Sequence, residues 1–400
     1  MLFQPMRRGR RDGRVNQKNV EQARPLNDST DVQHPASLTV TDLDRYDYEL
    51  PRELIAQEPI PTRIDARLMV VRRAEGAVVH HHVRDLPSLL EPGDCLVLND
   101  TRVIPARLDG CRARTGGHFE GLFLEADPHG LWRMMTRTRG KLSGGETITL
   151  LDADGREALA LLLHAQQPDG TWVAEPRELD ERENVAGDRS PAADTLALLE
   201  RVGRVPLPPY IRDGRMVDAD REQYQTVYAR RPGAIAAPTA GLHFTKPLLE
   251  RLAKRGVGVA RLTLHVGPGT FRPITTERIE EHRLEAEWGE VTESTAEQIN
   301  AVRAGPGRVV AVGTTSVRLL ETAGADGTVR AFRGPTDLFI HPPYEFKIVD
   351  CLMTNFHLPR TTLLVLIRTF GGDELIRRAY DEAVAERYRF YSYGDSMLIL

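Results

Sequence analysis

The amino-acid sequence predicts an α/β protein in which a large mixed α/β domain is interrupted by a small antiparallel β-barrel. Three observations carry that expectation. Apolar or β-branched runs feed loops of small residues at Gly93–Leu108, Val257–Phe271 and Arg308–Glu321, as strands do when they deliver loops to one site. Residues 109–175 instead show short alternating runs (GLFLEA, LWRMMTRTR, ETITLL, ALALLLHA, TWVAE), recurring about every ten residues with Gly, Asp and Pro between them, which is barrel spacing. A length of 400 residues at 41% hydrophobic composition is enough for two or three domains and a sizeable core.

Composition narrows the function classes. The longest apolar stretches, such as Leu363–Ile367, are far too short to span a bilayer. Cys95, Cys111 and Cys351 lie far apart without a C-x-x-C pair, so neither a disulfide framework nor a metal site is indicated, and a reduced cytoplasmic setting fits. A net charge of −4 argues against a generally basic nucleic-acid binder, though a local basic patch is compatible with it.

In chain order, residues 1–40 lack apolar periodicity and are rich in Arg, which predicts a disordered basic extension, either dispensable or touching RNA phosphates. Residues 41–108 and 201–400 make up the large domain, and 109–200 the barrel. Pro51 with RELIAQ reads as a short helix, and Ala66–Arg72 as a strand. His80–His82 read as ordinary strand residues, because neighbours on a strand point to opposite faces and cannot converge on one ion. Cys95–Leu98 is a buried strand running into Asn99–Arg102, where Asn99 and Arg102 either bind a ligand or cap a turn. In the barrel, Arg137, Arg139 and Lys141 are two apart and share a face if the strand continues. Such a stripe either tracks a phosphate backbone or is a solvated face. Residues 176–194 read as linker, and TLALLERV as a helix.

The stretch Ala229–Thr245 organises the rest. Eight of the ten residues from Pro232 to Gly241 are Gly, Ala or Pro, which suits a backbone that approaches a ligand closely. Pro238, Thr239 and Gly241 become candidate wall residues, with His243 and Phe244 at the rim. Thr245 is expected to cap a helix through Arg255. Val257–Val266 is a strand delivering His265, a core or ligand-facing histidine, to the GPGTF loop with Gly267 and Gly269. In LEAEWGEV the alternation puts Leu284, Ala286 and Trp288 on one side and Glu285 and Glu287 on the other. STAEQINAV opens with a capping box of Ser294 and Glu297. Val309–Val312 feeds Gly-Thr-Thr-Ser at a helix start, where free N–H groups and the helix dipole favour an anion. Thr314, Thr315, Ser316 and Arg318 are its candidate donors, and a carboxylate or a phosphate would suit. Asn355 and His357 precede an apolar helix. After a last helix, Asp373–Glu386, the aromatics of RYRFYSYGDSM either stack a base or close the core.

Taken together, DREQYQTVYARRPGAIAAPTAGLHF, LHVGPGTFRPI, VVAVGTTSVR, VDCLMTNFHLP and YRFYSYGDSM resemble the signatures of the S-adenosylmethionine:tRNA ribosyltransferase-isomerase family of the queuosine pathway. The resemblance runs from about Asp42 to the C-terminus. It also covers NDTRVIPARL and PLPPYI, and it adds Tyr393 and Asp395 of SYGD to the candidates. One position departs from the pattern: Glu285 stands where the family commonly has a histidine. The resemblance implies transfer and isomerisation of the ribosyl part of S-adenosylmethionine onto 7-aminomethyl-7-deazaguanine at the tRNA wobble position. Epoxyqueuosine forms, and adenine and methionine leave. S-adenosylmethionine is then a co-substrate, no true cofactor or metal is expected, and the partner is tRNA. A monomer away from membranes is expected. The sulfonium acidifies the adjacent C5′ hydrogens, so one base can start the sequence, with His243, His265 and Asp395 the candidates. An RNA methyltransferase using the same co-substrate is disfavoured by the lack of a G-x-G-x-x-G-like loop after an early strand.

Overall fold

The computed structural model describes residues 42–179, 191–271, 274–276 and 278–400. The basic extension at 1–40 and the middle of the linker expected at 176–194 lie outside the described residues. The large domain is built on a nine-stranded sheet. Its spatial order is Phe332–Thr336, Glu287–Val291, Gly258–Leu264, Cys95–Asn99, Val309–Val312, Cys351–Asn355, Ser396–Ile399, Arg67–Arg72 and Ala77–His82. The central strands Cys95–Asn99, Val309–Val312 and Cys351–Asn355 are buried along their whole length. This is what near-continuous apolar runs become in a sheet covered on both faces. Alternate residues go to opposite sides. Val97, Val309, Ala311 and Leu352 pack with Ile299, Leu320, Val365 and Ile376, whereas Leu96, Leu98, Val310, Val312 and Met353 pack with Phe244, Leu248 and Leu252.

Four neighbouring strands, Gly258–Leu264, Cys95–Asn99, Val309–Val312 and Cys351–Asn355, run parallel. Their carboxyl ends therefore lie along one edge, and the loops that follow must gather there. At the far edge Ala77–His82 pairs antiparallel with Arg67–Arg72, and His80 bonds Tyr388 Oη (2.6 Å) and Glu382 (2.8 Å) as a surface strand residue.

The inserted unit is a closed antiparallel barrel of six strands. Arg107–Arg112, His118–Ala126, Trp132–Thr138, Trp172–Arg177, Glu157–Gln166 and Thr147–Leu151 follow one another around it, and Thr147–Leu151 pairs back to Arg107–Arg112 to close the ring. Phe119, Trp132, Met134, Ile148 and Leu161 fill its interior. The helix Pro191–Val202 leads to Gly203–Arg204, which pairs with Arg107–Leu108.

Several local expectations are corrected. Residues 52–54 form a single 3-10 turn rather than a longer helix. The strand Trp132–Thr138 ends before Arg139 and Lys141, so the basic residues do not form a stripe on one strand face. Arg137 stays on the strand beside Glu120, while the carbonyls of Arg139 and Lys141 accept from Arg112 in the turn. The helix Glu293–Arg303 is capped by Thr292, whose Oγ1 accepts from Thr295 N, and not by Ser294. On Glu287–Val291 the buried face is that of Glu287, Gly289 and Val291, opposite to the apolar alternation. The reason is a partner: Glu287 forms an ion pair with the equally buried Arg318. Thr245 does cap its helix, accepting from Leu248 N at 3.3 Å.

Candidate active site

The carboxyl edge holds a small cleft of about 40 Å³, where Thr, Asn and His side chains stand among apolar ones and to which all four small-residue loops contribute. Ala237–Ala240 comes from the first loop, Val266 from the second, Gly313–Thr315 from the third, and Thr354, Asn355 and His357 from the fourth. Gly313 has φ +87°, a left-handed conformation that favours glycine, and it turns the chain from strand into the helix Thr314–Ala323. Ser316 N and Val317 N fold back to Gly313 O. Among the described residues the amides of Thr314 and Thr315 have no backbone acceptor at the helix start, and the positive end of the dipole lies behind them.

Beside this cleft is an apolar cavity of about 640 Å³ between the barrel and the large domain. Glu120, Gly121 and Leu122 of the barrel form one wall, Pro206–Tyr210 a second, and Tyr48, Leu50, Ile235, Ala236 and Leu358 the rest. Its size is that of ordinary small-molecule pockets, about 300–1,000 Å³. Tyr391 lines both spaces. Its φ is +76°, an unfavourable backbone for an aromatic residue, and the Tyr210 ring meets it edge-on with centroids 4.0 Å apart. Sequence reasoning left Tyr391, Tyr210 and the proline wall out of the site. The one available signal was the run of aromatics in RFYSYGD.

The histidines separate by position. His357 is in the cleft wall, with Nε2 3.0 Å from Thr354 Oγ1. His243 stands behind Asn355, whose Nδ2 lies 3.3 Å from His243 Nε2. His265 faces neither space. Its Nδ1 is 2.8 Å from Thr101 Oγ1, its ring stacks on Trp288, and a side chain on Gly233 would collide with it. Burial brings His243 down to about 4, helped by Arg63 and Arg389, and burial takes His357 down to about 3. Both rings are therefore neutral at pH 7.

This neutrality has a sign. The unfolded chain takes up protons on its histidines near pH 6.5 while the native state does not. The stability these two groups contribute is whole above about pH 6.5 and is lost as pH falls toward 4, by up to about 1.4 kcal/mol per pH unit for each group. The unfolding midpoint of wild type is expected to fall more steeply than that of His357→Gln between about pH 6.5 and 4.5. Equal slopes would contradict the neutral assignment.

Other predicted residues are placed as follows. Pro238, Thr239, Thr314, Thr315 and Asn355 line the cleft, and Gly267 lines the apolar cavity. Gly269 is buried against Glu285. Asn99 is spent internally: its Nδ2 donates to Leu264 O and Thr315 Oγ1, and its Oδ1 accepts from Leu264 N and Thr101 N. Arg102 is exposed on a short strand away from both spaces. Gly241 packs under Tyr228, and Phe244 is core. Ser316 Oγ donates to Val312 O, so it is turned from the cleft. Arg318 is also turned away, held by Glu287 and donating to the Leu338 and Thr336 carbonyls. Tyr393 donates to Asp220 at 2.9 Å. Asp395 staples backbone, accepting from Arg67 N and Arg389 N, which makes it a structural clasp between strands. Among the described residues no group of three or more His, Cys, Asp or Glu is gathered as a metal site, and no helix is long and apolar enough to cross a membrane.

A covered mixed sheet with an inserted barrel, a small cleft at the strand ends and a larger apolar cavity beside it define an α/β protein with a two-part candidate site. The profile of the family described as queuosine biosynthesis protein matches residues 43–399. A protein of Symbiobacterium thermophilum named S-adenosylmethionine:tRNA ribosyltransferase-isomerase is 52% identical over 90% of this chain and 99% of its own length. One of the same name from Cereibacter sphaeroides is 49% identical over 90% and 99%. The crystal structure of S-adenosylmethionine tRNA ribosyltransferase from Thermotoga maritima is similar at 36% identity and a TM-score of 0.49, covering 89% of this chain and all of that one. The chain belongs to the queuosine biosynthesis protein family, whose curated members here are ribosyltransferase-isomerases.

Proposed function

We propose that the chain transfers and isomerises the ribosyl part of S-adenosylmethionine onto 7-aminomethyl-7-deazaguanine in tRNA, giving epoxyqueuosine and releasing adenine and methionine. The observation that carries this reading is the meeting of a small cleft and a larger apolar cavity at Tyr391. A sulfonium nucleoside is polar at its amino-acid end and flat at its base; the small cleft offers Thr, Asn and His groups to the first, and the larger cavity offers Leu, Pro and Tyr surface to the second. The cavity also gives an unpaired nucleotide a stacking surface in Tyr48, Tyr210 and Tyr391. The co-substrate supplies the activation through its sulfonium, so the reaction as proposed needs no cofactor of the protein's own. The imidazole that meets the cleft is His357, neutral and beside Thr354, and in this reading it binds the co-substrate. His243 acts through Asn355 as a positioning residue. Exposed Arg137, Arg139 and Lys141 at the barrel rim would meet tRNA phosphates.

The test is a reconstituted reaction with S-adenosylmethionine and tRNA carrying the aminomethyl base. Adenine and methionine should appear in step with modified tRNA. Adenine release that ignores the modified base would point to a nucleosidase and contradict the proposal.

A further inference from the structure

We infer that the cleft at the start of Thr314–Ala323 is a zwitterion subsite that holds a free α-amino acid head group, its carboxylate on the Thr314 and Thr315 amides and its ammonium on Asn355 Oδ1. This rests on the proposed use of S-adenosylmethionine and assigns that molecule's methionyl end.

Two independent features carry it. The first is the helix start described above, a set of N–H donors with a positive dipole end. Thr315, whose Oγ1 accepts from Asn99 Nδ2 at 3.3 Å, lines the same cleft. The second is Asn355, only 2% exposed. Its Nδ2 donates to Tyr391 O at 3.0 Å, which fixes the orientation of the amide, and its Oδ1 then has no partner among the described residues. A buried acceptor without a donor is costly, about 1–3 kcal/mol, unless a ligand supplies one. Donors for an anion thus line the cleft, and Asn355, whose buried Oδ1 lacks a donor among the described residues, lines it too.

Charge and size select among ligands. Among the described residues no Lys or Arg lines the cleft, and Arg318 is committed to Glu287, so these residues offer a phosphate dianion no countercharge. A zwitterion carries its own. A volume of about 40 Å³ has room for about three water-sized occupants, so it admits the polar tip of a ligand and not the whole of one.

The experiment is calorimetric titration with three non-reacting probes: S-adenosylhomocysteine, its analogue lacking the amino group, and its analogue lacking the carboxylate. Wild type should bind each truncated probe at least about tenfold more weakly than the complete one. Asn355→Leu should lose the preference for the amino group and keep that for the carboxylate, while Thr315→Val should reduce the carboxylate preference. Binding of the amino-lacking probe within about twofold of the complete one by wild type overturns the subsite, even if Asn355→Leu does not fold. So does an Asn355→Leu protein that keeps the full preference. Intact discrimination without ribosyl transfer to tRNA would overturn the proposed function and leave the subsite standing. Ribosyl transfer without discrimination would do the reverse.

Discussion

Replacing Arg318 by Met is expected to remove about 3–5 kcal/mol from the stability of the large domain. Arg318 and Glu287 are each 3% exposed and pair with one another inside the protein. The pair is also a hub. Arg318 Nε donates to Leu338 O at 2.9 Å, and Glu287 Oε1 accepts from Gly267 N at 2.7 Å, which ties the pair to the rim of the apolar cavity. Removing the guanidinium leaves the Glu287 carboxylate buried without the countercharge of Arg318, and that lost compensation is the main source of the effect. The double variant Arg318→Met with Glu287→Gln removes both charges while keeping an acceptor for Gly267 N. It should recover more than half of the loss, read as the midpoint of denaturant unfolding. A single variant costing less than about 1 kcal/mol would show that water reaches the pair.

The largest effect on turnover is expected at Tyr391. Tyr391 lines both the cleft and the apolar cavity, and its carbonyl orients Asn355. Tyr391→Gly relieves the left-handed backbone, φ +76°, but removes the side chain. Misplacing reacting groups by about 1 Å can lower a rate about a hundredfold, and a loss of at least that size in kcat/KM is expected. Tyr391→Phe keeps ring and backbone and should stay within about tenfold of wild type. If Tyr391→Gly turned over normally, the two spaces would not hold two parts of one ligand.

Much of the fold was legible because its causes are local. The strands Cys95–Asn99 and Val309–Val312 are continuous apolar runs, and in a sheet buried on both faces nothing else fits them. The alternating runs of the barrel close as expected because each strand has one face inside. The gathering of the four loops was legible as well, since Gly, Ala, Pro and Thr leave backbone close to whatever lies between them. What was not legible depends on partners distant in the chain. Glu287 reads as a solvent-facing charge until Arg318, 31 residues on, is brought beside it. His265 sits at a promising turn, yet the packing of Trp288 and Gly233 decides where its ring points. Tyr391 carries no local mark of a left-handed backbone, because the surrounding fold imposes it. The cap of Glu293–Arg303 slipped from Ser294 to Thr292 because both can serve, and the strand before it chose.

The most direct measurement follows the ribose. S-adenosylmethionine carrying ¹³C through its ribose carbons is incubated with the protein and tRNA bearing 7-aminomethyl-7-deazaguanine, and the tRNA nucleosides are analysed by mass. The account predicts that all the labelled carbons enter the modified base, with unlabelled adenine and methionine released one for one. Labelled S-adenosylhomocysteine together with a methylated nucleoside, or labelled ribose that stays off the tRNA, would contradict it.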